Sequence, residues 1–388
     1  MDNNSNKTQI LYSASLMSKR LLDIGFSLFK NSIGVEIQKY HRLIIEGLQN
    51  NSVDVQVISF HPCLSMVENL EANEIEDGIS FKYLTSKKSH FAHLDIIKQS
   101  YRATKEYIKN NNCSCLICDV LNYSVSLGSV LAAKKMKVKT IGIITDFPEG
   151  SHPKGSIKIP LIWRLIKKLD GYVILTKQML EKLNSKKKYA ILEGQADIKE
   201  ISKSTSKEQR YNEFTCLYAG SIHERYGIGN LVKGFLKADI PNSKLIVYGN
   251  GDYVDELKKV EDNRIDYRGL CPNEVILKEE KKATLLINPR PTNDSYTLYS
   301  FPSKTIEYMA SGTAVVTTKL PGIPDEYFNY IYYFDGFDED SIARKIIELA
   351  SFDRNALFQT GEKAREFVLN EKNNTVQSKK ILDLISRL

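Results

Sequence analysis

Short apolar runs alternate with longer segments whose apolar positions recur at helical spacing, and this alternation predicts parallel α/β layers rather than separate blocks of helix and strand. The first run, QILYSAS at 9–15, reads as a strand. After a loop containing Asn31, Ser32 and Gly34, the positions Val35, Ile37, Tyr40, Ile44 and Leu48 share one helical stripe. Further strands are expected at 53–59, 79–84, 114–119, 139–145, 171–176 and 189–192. The pattern then breaks. Residues 194–213 are polar, rich in Ser and Lys and without an apolar period, which marks a linker. The alternation restarts with strands at 214–220, 243–249, 264–269, 283–289 and 313–319, separated by helices such as 226–238 and 303–311. Two doubly wound, Rossmann-like domains are therefore expected, at 1–193 and 214–374, with a final helix at 375–388 whose stripe suits it to pack back on the first.

Composition agrees with this outline and adds little chemistry. At about 150 residues per domain, 388 residues make two or three domains. With 42% hydrophobic and 26% charged residues the chain is neither disordered, collagen-like nor coiled-coil. A net charge of +7 favours anionic partners without choosing among nucleic acid, an anionic membrane face and a phosphorylated small molecule. The polar stretch Met1 to Thr8 does not resemble a secretory signal, and no run approaches the ~20 apolar residues that span a bilayer, so a cytoplasmic protein is expected. Six cysteines are too sparse for a disulfide framework. Cys113, Cys115 and Cys118 fall in an apolar run with no zinc-spaced partner and read as core. His90 and His93 read as an exposed helix face.

The chemistry concentrates in the second half. In YSFPSKTIEYMASGTAVVTTKLPG, 299–322, Pro302 suits the first position of a helix that ends before Gly312. The amides of Ser303, Lys304 and Thr305 would then face out of a helix N-terminus, which favours anions, and Lys304 adds a full charge. Glu307, one turn on, suits a sugar hydroxyl, as the acid of dinucleotide folds does. Two glycine turns follow strands in the same half: Gly220 and Ser221 in YAGSIHERYG, with His223 and Arg225 beyond them, and Gly249 to Gly251 in IVYGNGDY. A glycine turn alone is weak. Their common position at strand ends on one sheet edge is what counts.

These residues, with QKYHRLIIEGL at 38–48 and TDFP at 145–148, resemble family 4 of the retaining, metal-independent glycosyltransferases, which have the two-domain GT-B fold. Within it the likeness is to bacterial cell-surface polysaccharide enzymes with an FPSK block, and it is strongest over 283–327. The resemblance implies two Rossmann-like domains facing each other across a cleft. It implies that Glu307 holds the nucleotide ribose and that the main chain at Ser303 and Lys304 meets the diphosphate. The family's first motif glutamate falls at Tyr299, and its basic diphosphate pair falls at Ser221 and Tyr226. Arg225 and Lys304 are the expected replacements for that charge. Asp146 falls where relatives place a His facing the reacting sugar, and Asn31 to Gly34 where a glycine loop approaches the donor.

The expected reaction moves a sugar from a nucleotide-sugar, a UDP-sugar by resemblance, to a glycan or lipid-linked glycan acceptor, with Asp146, Arg225 and Lys304 as its catalytic residues and no cofactor. Asp338 and Asp340 in FDED resemble a metal pair but precede a helical pattern, which suits an acidic N-terminus. HPKGSIKIPLIWRLIKKLDG, 152–171, combines Ile157, Ile162, Trp163 and Leu165 with Lys154, Lys158, Arg164, Lys167 and Lys168. It reads first as a packed helix with a basic face, which needs the same apolar stripe, and second as a segment on an anionic membrane surface. A catalytically silent GT-B subunit bound to a partner enzyme stays open, because the first glutamate and the basic pair are missing. A nicotinamide dehydrogenase is disfavoured by the lack of an early G-x-G-x-x-G, and nucleic-acid binding has only net charge behind it.

Overall fold

The computed structural model describes residues 7–28, 34–87, 91–199, 210–292 and 295–388. The chain forms two compact units, Met1–Leu192 with Asn374–Leu388, and Glu193–Asn373.

The first unit holds an eight-stranded sheet of order β3-β4-β2-β1-β5-β6-β7-β8. Its strands are β1 (Thr8–Ala14), β2 (Val53–Ser59), β3 (Asn73–Glu76), β4 (Ile79–Tyr83), β5 (Cys113–Asp119), β6 (Lys139–Ile144), β7 (Gly171–Ile174) and β8 (Lys188–Ile191). All pairings are parallel except β3 with β4. The core gathers Ile10, Tyr12, Ile44, Leu48, Val57, Phe81, Ile117 and Ile143, and Ile381 and Leu384 of the helix Asn374–Arg387 complete it. That helix lies so close to the helix Val35–Asn50 that a Cβ on Gly47 would stand 2.1 Å from the carbonyl oxygen of Asn374.

Helix Lys158–Lys168 turns Ile162, Leu165 and Ile166 inward and leaves Arg164, Lys167 and Lys168 exposed. Its apolar stripe is therefore core, while Ile157 just before it is 76% exposed. Among the described residues no helix is long and apolar enough to cross a membrane.

The second unit holds a six-stranded sheet of order β11-β10-β9-β12-β13-β14, parallel throughout. The strands are β9 (Phe214–Ala219), β10 (Ser243–Tyr248), β11 (Ile265–Gly269), β12 (Leu285–Asn288), β13 (Ala314–Thr318) and β14 (Tyr332–Phe334). Counted from its own first strand, this is the 3-2-1-4-5-6 order of nucleotide-binding sheets. Every residue of β9 is buried, as a strand covered on both faces requires. Phe214, Cys216 and Tyr218 face one core with the helices Ile228–Ala238 and Glu339–Ala350. Leu217 and Ala219 face the other, with Ile306, Tyr308 and Met309 of the helix Ser303–Ala310.

Residues at the edges of the second unit depart from a plain polar linker. Ala196 bridges Asn373, and Arg210 donates to the Ala283 carbonyl at 2.8 Å, so both ends of the 194–213 stretch pack on this unit. Residues 200–209 lie outside the described residues.

Candidate functional site

Strand order in the second sheet reverses between β9 and β12, and the crevice outside the carboxyl ends of such a pair is where open α/β sheets take ligands. Three segments line that edge: the loop after β9 at 220–227, the loop after β10 at 249–253, and the chain from Asn288 to Pro291. The helix Ser303–Ala310 begins beside them, because Asn288 donates from its side-chain amide to the Thr305 hydroxyl at 3.3 Å. Tyr308 anchors the same helix to the end of β9. Its hydroxyl accepts from the Ala219 amide at 2.8 Å and donates to the Ala219 carbonyl at 3.1 Å.

The glycines let these loops interlock. A Cβ on Gly249, at φ 131°, would lie 1.8 Å from the Gly220 carbonyl oxygen, and one on Gly251 would lie 2.1 Å from that of Ile222. The amides of Gly220 and Ile222 donate to Tyr248 and Asn250, and that of Gly249 to Gly269. Gly249 and Gly251 thus serve close backbone approach, and the N–H groups of Gly220 and Gly249 are spent inside the fold. The Ser221 carbonyl accepts from Tyr218, while the residue itself is exposed.

At the helix start two expectations change. Pro302, with φ −75° and ψ 97°, is the cap before Ser303 rather than the first helical residue. The Thr305 amide donates to the Pro302 carbonyl at 2.8 Å, a tightened first turn that removes it from the outward-facing donors. Gly312 follows the helix in the left-handed conformation, φ 79°, as a terminating glycine does.

Lys304 donates to Glu307 at 2.7 Å and lies 3.9 Å from the buried Glu280 carboxylate. The two residues assigned to diphosphate and ribose therefore hold each other, one turn apart on the helix. Arg225 is exposed, with its guanidinium 5.5 Å from the Tyr226 ring centroid. A second guanidinium, that of Arg290 after β12, stands 4.7 Å from the same ring. His223 meets the Tyr226 ring edge-on and pairs with Asp252 at 3.1 Å. Arg290 was not among the sequence candidates. Its surroundings, Asn-Pro-Arg-Pro, signal only a turn.

The first-unit candidates have local partners. Asp146 accepts from the Phe147 amide at 2.7 Å and the Ser151 hydroxyl at 3.3 Å, and burial raises its carboxyl above the usual range. Gly34 caps the helix Val35–Asn50 with φ 63°; Asn31 and Ser32 lie outside the described residues, as does His90. His93 bonds Ser124 at 2.8 Å. Cys115 and Cys118 are fully buried in β5, and burial pushes the Cys113 thiol up to about 11. Asp338 caps the helix Glu339–Ala350 by accepting from the Ser341 amide, and Asp340 pairs with Lys237.

Residues 213–351 match the profile of the family described as Glycosyl transferases group 1. No curated protein sequence matches the chain. Among solved structures, a glycosyltransferase from Rickettsia africae superposes with TM-score 0.68 at 15% identity, covering 99% of both chains. Sucrose-phosphate synthase from Thermosynechococcus elongatus gives 0.65 at 14%, covering 98% of both. Anabaena HepE, solved in complex with UDP, gives 0.65 at 13%, covering 99% of this chain and 100% of its own. The fold is that of the GT-B glycosyltransferases, and the matched domain on that fold supports a glycosyltransferase.

Proposed function

We propose that the chain is a retaining, metal-independent glycosyltransferase of family 4 that transfers a sugar from a UDP-sugar to a glycan or lipid-linked glycan acceptor in bacterial surface polysaccharide synthesis. The observation that carries this reading is the crevice at the β9/β12 reversal, where Arg225, Arg290 and the first turn of Ser303–Ala310 share one sheet edge with Glu307. UDP bound to the similarly folded HepE supports the choice of donor.

Breaking the bond between the anomeric carbon and the β-phosphate oxygen leaves a nucleoside diphosphate with added negative charge. Fixed positive charge beside that group is then the largest catalytic contribution. The acceptor hydroxyl attacks the anomeric carbon on the face the diphosphate leaves, and its proton passes to the departing phosphate oxygen. The chain supplies no nucleophile. Glu307 accepts hydrogen bonds from the ribose hydroxyls, Lys304 aims it, and Asp146 is assigned to the acceptor. The exposed Arg164, Lys167 and Lys168 bring the enzyme to the anionic inner face of the plasma membrane, where a lipid-linked acceptor would reside.

The test is incubation of the purified chain with a panel of nucleotide sugars and lipid-linked glycans in the presence of EDTA, reading UDP release and the anomeric configuration of the product. Transfer with retention is expected. UDP binding with neither transfer nor donor hydrolysis would instead favour a silent subunit of another transferase.

A further inference from the structure

Resting on the donor-site reading above, we infer that Arg290 is the principal diphosphate-binding cation of this chain, and that Tyr226 is the residue that positions it. Four observations lead there. Arg290 follows β12 by two residues and Tyr226 lies in the loop after β9, so the pair spans the reversal of strand order. Their proximity is enforced by backbone: Gly227, at φ 82°, lets the chain approach until a Cβ would stand only 2.2 Å from the Pro289 carbonyl oxygen. The Tyr226 ring then holds the Arg290 guanidinium at 4.7 Å, a contact that fixes the fork without neutralising it.

The fourth observation concerns charge. Lys304, the cation expected from the sequence, has Glu307 at 2.7 Å and Glu280 at 3.9 Å, so its ammonium already sits among carboxylates. Among the described residues no carboxylate pairs with Arg290. An arginine fork is also the better match for two adjacent phosphate groups than an ammonium. Tyr226 stands where a basic residue of the diphosphate pair was expected. The β12 loop adds a guanidinium to that of Arg225 in the β9 loop, and the tyrosine between them holds Arg290 more closely, at 4.7 Å against 5.5 Å.

The experiment is calorimetric titration of the full chain with UDP, UMP and uridine. Wild type should bind UDP more tightly than UMP. Arg290→Ala should lose at least tenfold in UDP affinity and bind uridine as wild type does, and Arg290→Lys should recover only part of the loss. Tyr226→Leu should reduce the UDP-over-UMP preference with uridine affinity unchanged, an outcome that mere misfolding cannot produce, whereas Tyr226→Phe should retain the preference. Retention of the full UDP-over-UMP preference by Arg290→Ala overturns the assignment of Arg290 alone. Wild-type protein that binds none of the three ligands overturns the donor-site reading and this inference with it.

Discussion

Lys372 and Glu193, 179 residues apart in the chain, form an ion pair in which the side chains are only 3% and 2% exposed. Lys372 also donates to Glu326 at 2.6 Å, and the Tyr327 hydroxyl donates to Glu193 at 3.2 Å. The pair sits where the chain enters and leaves the second unit, whose span is Glu193–Asn373. The Ala196 amide donates to the Lys372 carbonyl, so backbone and side chains together tie the two crossings.

Removing one partner of that pair should be far worse than removing both. Lys372→Met leaves a buried carboxylate uncompensated, at a cost of about 3–5 kcal/mol. The double variant Lys372→Met with Glu193→Gln should recover a large part of this in chemical denaturation. Equal destabilisation of the single and double variants would show that the ion pair is not what holds the crossings.

Lys304 and Glu307 should behave as one unit toward the nucleoside. Glu307→Ala is expected to weaken uridine binding, and Lys304→Ala to weaken it similarly by letting the carboxylate swing away. The double variant should be no worse than either single change, the signature of coupled neighbours. Additive losses in calorimetry would mean that the two side chains contact a ligand independently. Lys304→Ala is also expected to lose most turnover.

Gly249→Ala should disrupt the interlocked loops. The added methyl meets the Gly220 carbonyl and the backbone is in a region worth about 1–3 kcal/mol of strain for an L side chain. The expected result is a lower thermal midpoint together with lost UDP affinity. Gly155→Ala, also at positive φ but with open space around it, should lower the midpoint far less and leave UDP affinity intact.

Asp170 should make the first unit acid-sensitive. Burial raises its carboxyl, but Lys134 at 2.6 Å and the Thr140 amide and hydroxyl at 2.8 and 2.9 Å outweigh this and hold it below the usual range. Near and below about pH 4 the unfolded chain binds the proton first, so the stabilisation is present above that range and lost as pH falls through the folded-state value. Asp170→Asn should melt below wild type at about pH 7, and the gap should narrow as pH falls below the ordinary carboxylate value of about 4. A gap that persists in acid would assign the effect to hydrogen-bond geometry instead of charge.

The basic face of Lys158–Lys168 should bind anionic vesicles in low salt and release them as salt screens the contact. Replacing the exposed Arg164, Lys167 and Lys168 with Glu should abolish co-sedimentation without unfolding the helix, since its buried stripe is untouched. Sedimentation unchanged by those substitutions would remove the membrane role.

Strands such as β9 were legible because a strand covered on both faces must be almost wholly apolar, and FTCLYA, with Thr215 as its one polar residue besides the Tyr218 hydroxyl, is. β3 was not. Asn-Glu-Ile-Glu is a half-exposed antiparallel edge, and its residues carry no burial signal. The helix at 303 was legible from Pro302 and Gly312 within one residue at its start. Lys304 and Glu307 were each read against an imagined ligand, although their spacing already allowed them to pair with each other. Arg290 was invisible for another reason. Its meaning depends on Tyr226, which only the sheet order and the bare backbone of Gly227 bring to it.

The return of the helix Asn374–Arg387 to the first unit has a consequence for biosynthesis. Ile381 and Leu384 belong to a core whose other members are made before the second unit begins. A ribosome must therefore deliver the whole of 193–373 while Ile44, Leu48 and the bare flank of Gly47 still await their cover. The contiguous second unit can fold as soon as it emerges, whereas the first, though started earlier, is sealed last. Chaperone dependence and sensitivity to truncation should accordingly concentrate at the carboxyl end.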